Sequence, residues 1–111
     1  MKLLTKAIEK KLIKNFYDND GDKDFKPVVK LFGGGAATWL LSELDPDTNI
    51  AFGLCDLGFG TPELGYVSID ELKSIRFKPF NLPVERDRFF EPEKTLMEYA
   101  NDARKQRYID A

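Results

Sequence analysis

The run Thr38-Trp39-Leu40-Leu41-Ser42-Glu43-Leu44-Asp45-Pro46-Asp47-Thr48-Asn49-Ile50-Ala51-Phe52-Gly53-Leu54-Cys55-Asp56 decides the fold. Its first half fits two patterns. Residues 36–44 have helical spacing, while residues 38–44 also make an acceptable strand. Pro46 in the breaker cluster of residues 45–49, and a second apolar run beginning at Ile50, decide for an antiparallel hairpin. A symmetric five-residue loop sets Leu44 opposite Ile50, Leu40 opposite Leu54, Trp39 opposite Cys55 and Thr38 opposite Asp56. Leu40, Leu44, Ile50, Phe52 and Leu54 then share one face, and Trp39 and Leu41 the other.

Working outward, Leu57-Gly58-Phe59-Gly60-Thr61-Pro62 leads to a third strand over residues 63–67. Symmetric pairing there sets Asp56 opposite Glu63 and Tyr66 over Gly53. Upstream, Pro27-Val28-Val29-Lys30-Leu31-Phe32 reads as a strand ended by Gly33-Gly34-Gly35. Thr5 caps a first helix over residues 6–17, with Leu4, Ile8, Leu12 and Phe16 on one stripe and Lys6, Lys10 and Lys14 on another. Ser68-Ile69-Asp70-Glu71 is a capping box for a short helix to Ile75, and Thr95-Leu96-Met97-Glu98 opens a C-terminal helix to about Arg107. Residues 84–90 alternate as a polar edge strand. The expectation is one α+β domain over residues 1–111: a small antiparallel sheet of three to five strands, with N- and C-terminal helices packed on it.

Composition narrows the chemistry. The chain has no histidine and one cysteine, which removes Ser-His-Asp and Cys-His arrangements, thiolate zinc clusters and any internal disulfide. No apolar run approaches the roughly 20 residues of a membrane span, and the N-terminus lacks a signal peptide's apolar core, so a cytoplasmic protein is expected. Charge is unevenly placed. Residues 1–30 carry 8 Lys/Arg against 5 Asp/Glu, residues 31–72 carry 0 against 7, and residues 73–111 carry 9 against 7. An acidic middle therefore lies between two basic flanks.

Several clusters invite functional readings. Asp18, Asp20, Asp22 and Asp24 alternate as in a calcium loop, but positions six and twelve are Lys23 and Val29 rather than Gly and Glu. Gly33-Gly34-Gly35 lacks both the G-K-[ST] ending and the GxGxxG spacing of phosphate loops, and reads as a bend. Asp56 and Glu63, if paired, form a carboxylate couple of the kind a metal-dependent hydrolase uses. Lys6, Lys10 and Lys14 with Arg104, Lys105 and Arg107 are the candidate nucleic-acid contacts, and the segment of net charge −7 between them predicts weak DNA binding. Cys55, in an apolar strand, is expected to be a small buried hydrophobe.

Val29-Lys30-Leu31-Phe32, Thr38-Trp39, Glu43-Leu44-Asp45, Phe52-Gly53-Leu54-Cys55-Asp56 and Pro62-Glu63-Leu64-Gly65-Tyr66-Val67-Ser68 together form a signature. Pro83-Val84-Glu85-Arg86-Asp87 and Lys94-Thr95-Leu96 extend it. On these motifs the chain resembles an uncharacterised family of small bacterial and mobile-element proteins, a domain of unknown function. The resemblance implies a plasmid, conjugative-element or phage setting and carries over no reaction. The sequence therefore predicts a protein-binding module with no catalytic residue, metal ligand set or cofactor. Its expected contact surface is the acidic face: Trp39, Glu43, Asp45, Asp47, Asp56, Phe59 and Glu63.

Overall fold

A computed structural model describes residues 2–111. Helix α1 covers Lys6–Asp18, its first turn closed by the Thr5 hydroxyl, which accepts from the Ile8 amide at 3.2 Å. Four strands follow: β1 (Val29–Gly33), β2 (Ala37–Asp45), β3 (Ile50–Asp56) and β4 (Glu63–Ser68). The Ser68 hydroxyl caps α2 (Ile69–Ser74). A two-stranded ribbon of β5 (Arg76–Phe77) and β6 (Leu82–Pro83) comes next, then β7 (Glu85–Arg86) and α3 (Leu96–Gln106), opened by the full capping box at Thr95 and Glu98.

The main sheet is antiparallel with order β4-β3-β2-β1-β7. It is covered on both faces. Leu12 of α1 joins Val29, Leu31, Trp39, Leu41, Leu44, Ala51, Ile69 and Leu72 in one core. Leu96, Tyr99, Ala100 and Ala103 of α3 pack with Leu40 and Leu54 in the other. Neighbouring residues of one strand point to opposite faces, so α1 and α3 lie on opposite sides of the sheet. The α+β architecture, five strands and sheet-packed terminal helices agree with the sequence expectation.

Three expectations require correction. Thr38, Trp39 and Leu40 do face Asp56, Cys55 and Leu54, but the register slips by one residue between Leu41 and Glu43. Ser42 is the extra residue of a β-bulge. Beyond it Leu44 faces Ala51 rather than Ile50, and so joins the α1 core instead of the Leu40 face. Secondly, β3 and β4 pair Phe52 with Tyr66 and Cys55 with Glu63. Tyr66 therefore does not cover Gly53, which lies between Leu41 and Gly65. Finally, the strand expected over residues 84–90 shrinks to Glu85–Arg86 on the outer edge of β1.

The bulge is held from α1. The buried Asn15 side chain donates to the Ser42 carbonyl at 3.0 Å, satisfying a backbone group displaced from the regular ladder. One turn later, Asn19 donates to the Glu43 carboxylate at 2.8 Å. The glycine run makes the β1–β2 turn, with φ of +61° at Gly34 and +81° at Gly35. A Cβ on Gly33 would sit 2.2 Å from the Phe77 ring, so this loop is closed over by an aromatic and offers no open phosphate cradle.

Asn15→Ala leaves the buried Ser42 carbonyl without its partner, a loss of about 1–3 kcal/mol. Alanine's helix propensity returns about 0.5 kcal/mol of this. Thermal melting should fall by about 4 °C for each net kcal/mol in a domain of this size. The exposed Lys11→Ala should stay within about 0.5 kcal/mol of the parent. Equal melting temperatures for the two variants would contradict this role for Asn15.

Candidate functional site

The bulge shapes one end of the sheet. With the register moved by one, Glu43 faces Phe52, and Phe52 faces Tyr66. The three side chains form a cross-strand row on the face opposite α1. Beside the row runs the segment after α1, which crosses to α3. The Asp24 carboxylate accepts from the Met97 amide at 3.0 Å and the Phe25 carbonyl from the Leu96 amide at 2.8 Å, so this segment caps α3's first turn.

Between that segment and the row lies a cavity of about 620 Å³. Its apolar lining is Phe16, Ile50, Phe52, Tyr66 and Met97, and its charged lining is Asp22, Lys23, Asp24, Glu43 and Asp45. The Phe52 and Tyr66 rings lie 5.2 Å apart at 56°. Glu43 is only 8% exposed, and its one hydrogen bond among the described residues comes from the neutral Asn19 amide. No Lys or Arg among the described residues lies within ion-pair distance of it. Asn19 also accepts from the Gly21 amide at 2.8 Å, tying the cavity wall to the carboxylate. Asp45 accepts from the Asp47 amide at 2.9 Å, an Asx turn that fixes the β2–β3 loop. Helix α1 ends beside the cavity with no basic residue in its last turn, so its C-terminal carbonyls add negative potential.

The expected contact residues do not form one surface. Glu43 and Asp45 line the cavity, and Asp47 is exposed at the adjoining turn. Trp39 is 3% exposed inside the α1 core, which removes it as an anchor for a partner. Asp56 lies at the far end of β3, 3% exposed, where its carboxylate accepts from the Gly58 amide at 2.8 Å. It opens on a smaller hollow of about 320 Å³ with Thr38 and Arg107. Phe59 projects from the loop beyond, 81% exposed. Glu63 is exposed and faces Cys55, so Asp56 and Glu63 point to opposite faces of the sheet. The carboxylate couple expected from symmetric pairing is therefore dissolved by a one-residue register difference.

The basic residues are likewise divided. Lys6, Lys10 and Lys14 are exposed on α1, and Arg104, Lys105 and Arg107 are exposed on and after α3, across the sheet. Lys14 is engaged by Asp18 at 2.5 Å. The two clusters cannot share one groove. The alternating aspartates serve local structure: Asp20 accepts from the Asp22 amide at 3.1 Å, and Asp24 caps α3. Phe16, Asp22, Asp24, Phe52, Tyr66 and Met97 were not indicated as site residues by the sequence, because only the bulge and the loop crossing bring them together.

Sheet, helices and cavity define a small α+β domain with an acidic, aromatic-lined cleft on one sheet face. The chain belongs to the family described as Protein of unknown function (DUF2958), whose model matches residues 3–110. Searches of curated proteins and of solved structures find no match to it. Among the described residues, no helix is long and apolar enough to cross a membrane.

Cys55, half-buried against the α1 core, has its thiol pushed up to about 11 by burial. The folded state thus binds the proton more tightly than the unfolded chain, whose thiol titrates near 8.5. This contribution to stability is complete below about pH 8.5 and is lost as pH rises through about 11. Alkylation of native protein by iodoacetamide should be slow at pH 8 and accelerate toward pH 11, while the denatured chain reacts promptly at pH 8. Native labelling at pH 8 as fast as denatured labelling would contradict the burial of this thiol.

Proposed function

We propose that this protein is a non-catalytic binding module that receives a basic part of a partner protein in the cleft between the α1–β1 segment and the Glu43–Phe52–Tyr66 row. In this reading it is an accessory or counter-defence protein of a plasmid, conjugative element or phage, a setting that rests on the family resemblance alone. The observation that carries the binding role is Glu43, a carboxylate 8% exposed that lines a cavity and makes no ion pair among the described residues, Lys23 of the same lining standing beyond ion-pair distance. Holding a carboxylate out of water is costly unless a cation or several hydrogen bonds compensate. A partner's cation supplies that compensation on binding. Supporting this, residues 31–72 carry no positive charge, so the approach to the cleft from β2, β3 and β4 is uniformly negative and favours encounter with a basic surface. The cavity volume of about 620 Å³ also falls within the usual range of ligand sites, roughly 300–1,000 Å³.

Affinity capture from the native host tests the proposal when wild type is compared with the triple variant Asp22→Asn, Glu43→Gln, Asp45→Asn. Each amide keeps an acceptor oxygen for the local hydrogen bonds, so charge changes while the loops are retained. Partner recovery should fall at least tenfold, about 1.4 kcal/mol of binding free energy, and should fall likewise when salt is raised toward 1 M. Asp47→Asn with Glu63→Gln, outside the cleft, should leave recovery unchanged. Recovery that survives the triple variant and is lost with the outer pair would overturn the cleft as the binding site.

A further inference from the structure

We infer that the group received by the cleft is an arginine guanidinium, laid along the row from Tyr66 to Glu43. The inference rests on the cleft being a site for a basic partner and adds which cation it selects.

The row supplies the geometry. Glu43, Phe52 and Tyr66 are consecutive cross-strand partners on β2, β3 and β4. Adjacent strands lie about 4.8 Å apart, so the row spans roughly 10 Å. A side chain entering past the exposed Tyr66 ring can rest its methylene stem on Tyr66 and Phe52 and deliver its head group to Glu43. That ordering, aromatic surface first and buried carboxylate last, matches a long side chain that is apolar along its stem and charged at its tip.

The lining favours guanidinium over ammonium for two reasons. Asn19 occupies one lone pair of the Glu43 carboxylate, yet each oxygen keeps capacity for a further bond, so a planar fork of two N–H groups can still engage it. A guanidinium is also less strongly hydrated than an ammonium and stacks on aromatic faces, which suits a half-enclosed site with Phe16 and Phe52 in its lining. Asp45, two residues along β2 and lining the same cavity, is a second acceptor for the outer N–H groups.

Three pentapeptides distinguish the possibilities: acetyl-Gly-Gly-X-Gly-Gly-amide with X as arginine, lysine or citrulline, titrated against the intact protein with NMR detection of the Phe52 and Tyr66 ring signals. Citrulline keeps the shape of arginine without its charge. The arginine peptide should shift both rings saturably, the lysine peptide should bind at least about fivefold more weakly, and citrulline should not bind. Glu43→Gln should weaken the arginine peptide about tenfold while keeping the Asn19 hydrogen bond and the melting temperature. Asp45→Asn provides a second variant with a smaller loss. Equal binding of arginine and lysine, both lost in Glu43→Gln, would overturn the guanidinium assignment and leave the acidic cleft standing. Equal binding of citrulline and arginine would overturn a charge-based site. If no peptide moves either ring signal, the cleft reading and the guanidinium assignment fall together.

Discussion

The hydrogen bond from the Asn15 amide to the Ser42 carbonyl, at 3.0 Å, holds the single irregularity on which the rest of the molecule depends. A bulge adds one residue to one strand, and because strand side chains alternate, everything beyond it changes face. Here the change delivers Leu44 to the α1 core and Glu43 to the other side, opposite Phe52. Without the bulge Leu44 would look outward and Glu43 would be driven under α1, a carboxylate set among Leu12, Trp39 and Leu41. Burying an unpaired carboxylate there would cost several kcal/mol. The slip therefore reconciles the hydrophobic pattern of β2 with two cores and sets an acid in the lining of the cavity beside Phe52 and Tyr66.

Coverage of both faces also explains why β2 is ambiguous as a sequence. A strand with one wet face alternates apolar and polar residues, whereas Trp39, Leu40 and Leu41 are all buried because successive side chains enter different cores. A continuous apolar run of this kind is shared by buried strands and buried helices. Pro46 and the second run at Ile50 resolve it, and these are local signals. The helix caps at Thr5, Ser68 and Thr95 were legible for the same reason, since each depends on residues within one turn.

What was not legible depended on residues far apart in sequence. Ser42 carries no mark of a bulge by itself; the partner that stabilises it is Asn15, 27 positions earlier, which from sequence alone is a polar residue beside an apolar stripe. The same slip decides which acids gather. Charge alone points to Glu43 and Asp45, but Trp39, expected to anchor a partner, is core, and Asp56 and Glu63 separate to opposite faces. From sequence Tyr66 and Phe52 are strand residues without a site role, and the position of Asp22 and Asp24 beside them depends on a crossing to α3 held by the backbone hydrogen bond from Leu96 to Phe25. Charge asymmetry was readable from composition; its concentration around an aromatic row was not.

The register itself is the most direct test. Cross-strand NOEs in isotopically labelled protein report which Hα and amide protons of β2 and β3 are neighbours, independent of any binding assay. The structure predicts contacts that place Leu40 opposite Leu54 but Glu43 opposite Phe52 and Leu44 opposite Ala51, with Ser42 unpaired. An unbroken pattern that runs through to Leu44 opposite Ile50 would contradict the bulge, and with it the row from Glu43 to Tyr66 and the cleft built upon it.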